Sequence, residues 1–123
     1  MKIYLVRHGF TQSNRARTEA IEDLKLNKSG FNVLVNTRRT LEKYNIDKVY
    51  SSELKDATQT ADMLGYHDYT KDARLNELDF GDYSGQLLEE IQDHYDGVLD
   101  NEEDVFNLKY PGNESRNDLI KRM

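Results

Sequence analysis

The sequence predicts an α/β fold built on a mainly parallel sheet, and two observations predict it. The first is the run Ile3-Tyr4-Leu5-Val6, which turns abruptly polar at Arg7, His8 and Gly9, with Thr11 and Asn14 just beyond. A short apolar run that ends in a glycine-containing polar turn reads as a buried parallel strand. The second is alternation. A strand-like segment, Asp47 to Ser51, lies between two helical stretches. Strand, helix, strand, helix in that order favours right-handed βαβ units, because parallel strands need a crossover between them. In open α/β sheets ligands bind outside the carboxyl ends of strands. Here that end carries an arginine, an imidazole, a glycine that lets backbone approach a ligand, and two short polar side chains. These are the parts of an anion pocket with a nucleophile in it.

The elements follow in order. Residues Arg15 to Lys28 are mostly polar without a clear period and read as a loop, with a helical turn around Thr18 to Leu24. Ser29-Gly30 opens a helix through about Tyr44, with Phe31, Leu34, Val35 and Leu41 as its apolar stripe and Asn45 at its end. Leu54 to Leu64 is the best-patterned helix. Leu54, Ala57, Ala61 and Leu64 recur on one face, and Gly65 stands just past the end. His67 to Thr70 reads as a poorer strand at a sheet edge, and Arg74 to Gly85 as a loop rich in glycine and carboxylates. Leu87 or Leu88, Ile91 and Tyr95 mark a helix stopped by Gly97; Asp100 to Asp104 reads as a solvated acidic segment. Pro111-Gly112 is a turn. Asn113 or Ser115 caps a last helix with Leu119, Ile120 and Met123 on one face.

The chain has 123 residues and a net charge of −6. That length suits one domain with one core. The acidic balance argues against a nucleic-acid partner or an anionic membrane, either of which favours a basic face. There is no cysteine, so no disulfide framework, thiolate chemistry or cysteine-based zinc site. No apolar segment approaches the ~18 residues of a membrane helix, and no signal peptide precedes the first strand. The expectation is a soluble cytoplasmic protein. Apolar residues make up 37% and charged residues 33%, against about 45–50% and about 25% in average domains. With only two runs that look like central strands, the domain reads as small or incomplete.

Four further blocks, in order, set Arg7-His8-Gly9 in a pattern. They are Leu26-x-x-x-Gly30; Ser51-Ser52-x-Leu54-x-x-Ala57-x-Gln59-Thr60-Ala61; Leu75-x-Glu77-x-x-x-Gly81-x-x-x-Gly85; and Gly112-x-Glu114-Ser115 with Arg122 beyond. Each is modestly specific, but together they run over nearly the whole chain. The pattern resembles the histidine phosphatase superfamily, the phosphoglycerate mutase-like proteins. The resemblance implies a three-layer α/β/α sandwich with a mainly parallel sheet. It implies phosphomonoester hydrolysis through a phosphohistidine on His8, with Glu77 as the acid that protonates the leaving oxygen. Arg7, Gly9, Thr11 and Asn14 would bind phosphate, and no metal or other cofactor is implied. The chemistry suits the residues. Neutral histidine accepts a phosphoryl group when one ring nitrogen is free and the other is held as a donor. Arginine forms a planar fork on phosphate oxygens. A short interval between the acid loop and the Glu114-Ser115 block leans toward phosphatase over mutase.

The sequence departs from the family pattern in three places. Asn27 stands where threonine is usual. Asp56 stands where the family has an arginine, and a carboxylate there repels a phosphate dianion. Lys55 points about 100° away on a helix, and the sequence leaves open whether Arg74 reaches in from its loop. The family's second histidine follows the Glu114-Ser115 block; His67 and His94 both precede that block and do not match it. The chain thus resembles the N-terminal portion of a histidine phosphatase domain, residues 1–123, lacking the C-terminal third. The alternative function is a non-catalytic pseudophosphatase or remnant that binds a phosphorylated ligand or a protein partner. For an active chain the expected partner is a small phosphorylated substrate. An open sheet edge beside the first strand would invite a homo-oligomer or a partner chain, unless the polar C-terminal segment folds back to cap it.

Overall fold

The computed structural model describes residues 1–11, 26–87, 89–90, 106–108 and 114–123. Helix α1 spans Lys28–Leu41, strand β1 Tyr50–Ser51, helix α2 Lys55–Met63, strand β2 Thr70–Lys71 and helix α3 Arg116–Arg122. Two single-turn 3₁₀ segments, Ala73–Leu75 and Gly81–Tyr83, punctuate the loop after β2.

Strands β1 and β2 pair in parallel, Tyr50 opposite Thr70 and Ser51 opposite Lys71. The pairing is extended by Thr70 N–H donating to the Val49 carbonyl and Asp72 N–H donating to the Ser51 carbonyl. Helix α2 is the crossover between them, as a parallel pair requires. It ends where Gly65 takes a φ of 91°. Gly65 N–H donates to the Asp62 carbonyl and Tyr66 N–H to that of Ala61, a Schellman arrangement that closes the last turn. Tyr66 then packs onto the core.

That core is Leu26, Leu34, Leu41 and Leu64, with Phe31 and Tyr66 against it. It lies where α1 meets α2. Val35, expected on the buried stripe of α1, is exposed instead. Helix α1 begins earlier than Ser29-Gly30 suggests, because Asn27 is its N-cap: the Asn27 side chain accepts from Gly30 N–H at 2.9 Å. Asparagine, where threonine is usual in the family, thereby caps the helix. Helix α3 carries a full capping box, Ser115 and Asp118 each satisfying the other's backbone N–H.

The expected first strand differs most. Ile3 to Val6 pairs with no strand among the described residues, and Ile3 and Leu5 are 71% and 94% exposed. A strand is defined by its neighbour, and no backbone hydrogen bond joins Ile3 to Val6 to the other described residues. Tyr4 alone finds a ring partner, Tyr44 beyond the end of α1, at a centroid distance of 4.8 Å. The expected helix through Ile91 and Tyr95, the acidic segment Asp100 to Asp104 and the turn at Pro111-Gly112 lie outside the described residues.

Candidate active site

The polar turn after Val6 is pinned from two sides. Helix α1 approaches so closely that a Cβ on Gly30 would stand 2.5 Å from the Phe10 carbonyl oxygen and 2.9 Å from its nitrogen. Only glycine allows that approach. Asn27 N–H donates to the Phe10 carbonyl at 2.9 Å, and Asn27 Nδ2 donates to the Thr11 carbonyl at 3.0 Å. From the other side, Gly9 N–H donates to Thr60 Oγ1 on α2 at 3.0 Å, and the Thr60 hydroxyl donates to the Asp56 carbonyl at 2.7 Å. Gln59 Oε1 accepts from Leu26 N–H. Both α2 contacts come from the Gln59-Thr60 pair of the second sequence block.

His8 is half-buried at this turn. Its Nδ1 lies 2.8 Å from the Gly9 carbonyl oxygen, a donor geometry when that nitrogen carries the proton, and this leaves Nε2 as the other ring position. Asp56 Oδ2 stands 3.5 Å from the same Nδ1, with the two side chains 21% and 18% exposed. The other carboxylate oxygen, Oδ1, accepts from Ala57 N–H at 2.7 Å. Asp56 therefore fits α2 locally, as an acid in the first turn of a helix whose N-cap, Leu54, offers no side-chain acceptor.

Residues 3–123 match the histidine phosphatase superfamily (branch 1). The chain belongs to that superfamily. It is 33% identical over 124 residues to human 6-phosphofructo-2-kinase/fructose-2,6-bisphosphatase 1, covering 98% of this chain and 26% of that protein. A mycobacterial glucosyl-3-phosphoglycerate phosphatase solved with VO3 superposes at a TM-score of 0.80 with 28% identity, over 94% of this chain and 59% of that one. A Thermus thermophilus protein, TTHB049, does so at 0.76 with 30% identity, over 95% and 65%. The fold is thus the α/β fold of the histidine phosphatases. The chain spans about a quarter of the length of the curated relatives it matches.

The other candidate residues of this histidine phosphatase sequence are distributed as follows. Arg7 is exposed and has no ion-pair partner among the described residues. Thr11 is 1% exposed, and its backbone forms a bridge to Leu26. Asn14 lies outside the described residues. Glu77 is exposed in the loop after β2, where its Oε1 accepts from Leu78 N–H at 2.9 Å; no described contact joins it to His8. Arg74 does not reach the site: its guanidinium forks onto Asp72, and those donors hold the Asp72 carboxyl down at about 2. His67 is exposed beside Asp62. Among the described residues no group of three or more potential ligands could hold a metal ion, and no helix is long and apolar enough to cross a membrane.

Sequence reasoning did not assign Arg122 or Glu114 a task. Arg122 donates to Glu114 and to three backbone carbonyls of the Glu77 loop. The signal was present as the fourth block, whose spacing places Glu114 just before a helix and Arg122 at its end.

Proposed function

We propose that the chain hydrolyses phosphomonoesters through a phosphohistidine on His8. The observation that carries this reading is the Nδ1 contact of His8 with the Gly9 carbonyl. A ring held there as the Nδ1–H tautomer keeps the lone pair on Nε2. In the reaction that follows, Nε2 forms a bond to phosphorus as the bond from phosphorus to the leaving oxygen breaks. The leaving alkoxide takes a proton from Glu77. Water then attacks the phosphohistidine, its proton returns to Glu77, and phosphate leaves with Nε2 regenerated. Arg7 and backbone N–H groups of the turn stabilise the transferring phosphoryl charge. The family, and the phosphatase names among the relatives, support this class of reaction. A small phosphorylated metabolite is the substrate class, and a cytoplasmic setting goes with it.

Incubation with a ³²P-labelled phosphomonoester followed by alkaline quench tests the reading. An acid-labile, base-stable label on the unaltered chain that His8→Ala removes, while His67→Ala and His94→Ala retain it, is the expected result. Loss of the label in all three variants, or its absence from the unaltered chain, would sink the assignment to His8.

One observation favours a second reading, a non-catalytic binder. Asp56 places one oxygen on a helix N-terminal amide and the other beside His8. Those are the contacts that an incoming phosphate oxygen would seek. In that reading the carboxylate is a resident anion that disfavours turnover. Of the two ligands expected for a non-catalytic chain, a phosphorylated ligand or a protein partner, it favours the protein partner.

A further inference from the structure

The last helix is tied to the loop of the proposed acid by a set of hydrogen bonds centred on one arginine and one carboxylate. Arg122 Nη1 donates to the Arg74 carbonyl at 2.6 Å, and Nη2 to the Asn76 and Glu77 carbonyls at 2.8 and 3.2 Å. Nε and Nη2 fork onto the two carboxylate oxygens of Glu114. Glu114 Oε2 in turn accepts from Asp79 N–H at 3.3 Å. The pair therefore grips the backbone on both sides of Glu77: three carbonyls up to and including its own, and the amide two residues later. Asn76 Oδ1 also accepts from Glu53 N–H at 2.9 Å. The same loop is thus fixed to the turn that begins α2, the helix whose Thr60 and Asp56 meet the His8 turn.

We infer that Arg122 and Glu114 are positioning residues that aim the Glu77 carboxyl at the oxygen leaving from a phosphoryl group on His8. The inference rests on the hydrolytic reading above. A guanidinium suits the task because its planar fork reaches several fixed acceptors at once, which an ammonium on a flexible stem does not. The pair also stays charged through the neutral range. Arg122's donors hold the Glu114 carboxyl below the usual carboxylate range, and Glu114 in turn raises Arg122. A purely structural tie and a positioning role differ in one respect. The first lowers turnover of every substrate alike. The second, read in kcat/KM, which reports only the steps up to release of the leaving group, matters only where that group needs a proton. The later hydrolysis of phosphohistidine, in which Glu77 takes up the water's proton, is common to all substrates.

The test compares p-nitrophenyl phosphate, whose phenolate leaves without protonation, with glycerol 2-phosphate, whose alkoxide does not. Steady-state kinetics are measured for the unaltered chain, Glu77→Gln, Arg122→Met and the double variant. The kcat/KM of Arg122→Met on glycerol 2-phosphate should fall by roughly 10²-fold, at least about tenfold more than on p-nitrophenyl phosphate. The double variant should be no slower than Glu77→Gln alone, because both changes remove the same proton transfer. Should Arg122→Met fail to fold, Arg122→Lys keeps the charge facing Glu114 while losing the fork, and the same comparison applies. Equal losses on both substrates, adding in the double variant, would overturn the positioning role. A Glu77→Gln that shows substrate-dependent loss while the Arg122 variants do not would overturn this inference alone. A Glu77→Gln without that dependence, or an unaltered chain that turns over neither substrate, would overturn the hydrolytic reading and this inference with it.

Discussion

In the hydrolytic reading proposed above, Asp56 presents a carboxylate at the ring where a phosphate has to arrive. Two like unit charges about 4 Å apart repel by roughly 4 kcal/mol at an effective dielectric near 20. Both side chains are about four-fifths buried, so solvent screens only part of this. Neither Arg74 nor Arg7 compensates directly. Arg74 is committed to Asp72, and Arg7 must act against the carboxylate. Replacing Asp56 by arginine exchanges repulsion for attraction at the site of phosphoryl binding. Vanadate or phosphate should then bind at least about tenfold tighter in a calorimetric titration, equivalent to about 1.4 kcal/mol. Unchanged affinity would mean that the carboxylate faces away from the bound anion. The same substitution removes the acceptor from Ala57 N–H, so a small loss of helix stability should accompany the gain in affinity.

At the scale of elements, the close approach of α1 to the turn that bears His8 sets a strict size limit. Alanine is worth about 0.5–1 kcal/mol more than glycine inside a helix. A Cβ on Gly30, however, would overlap the Phe10 backbone, which has no side-chain freedom with which to yield. Overpacking of this kind costs about 1–3 kcal/mol and should outweigh the gain. Gly30→Ala is therefore expected to lower stability in urea titration by about 1–2 kcal/mol net; a more stable variant would show that the turn moves aside freely. Helix α3 carries a pH dependence of its own. The Glu114 carboxyl is lowered chiefly by the Arg122 hydrogen bonds. Its contribution is fully present above the unfolded value of about 4.3 and is lost as pH falls through the lower folded value. Thermal melts from about pH 6 to 3 should show the unaltered chain losing stability more steeply than Glu114→Gln at the acid end; parallel curves would count against the ion pair. Which elements are legible in the sequence follows from what defines each. Helix α2 is legible to within a residue at either end, because its period and its glycine stop are local. The Asn27 cap is not, since Ser29 is an equally good capping residue by type and only the fold chooses. The first strand reads as paired but finds no strand partner among the described residues, because pairing depends on a neighbour, which apolar patterning does not supply. The hold of Arg122 on the Glu77 loop joins residues 45 to 48 apart, and no local pattern encodes such a contact.

For the whole molecule, the consequence of that unpaired segment is an open flank. Ile3 and Leu5 face solvent, and no backbone hydrogen bond reaches Ile3 to Val6 from the described residues. The C-terminal helix, which the sequence allows as a cap for this edge, docks on the Glu77 loop instead. Extended apolar backbone with free hydrogen-bonding groups pairs readily with another chain. The purified chain is therefore expected to self-associate as its concentration rises in sedimentation velocity runs, and Leu5→Lys to suppress this. A monodisperse monomer at every concentration would show that the flank is tolerated as it is. The opposite side of the same segment is better tethered, and it supplies a built-in probe. Gly9 N–H is held by the hydroxyl of Thr60, a residue 51 positions away. Its exchange with solvent deuterium is thus slow only while α2 is seated on the turn that bears His8. One glycine amide, followed by NMR in heavy water, becomes a clock for how often the two halves of the site part company, in a chain to which no substrate need be added.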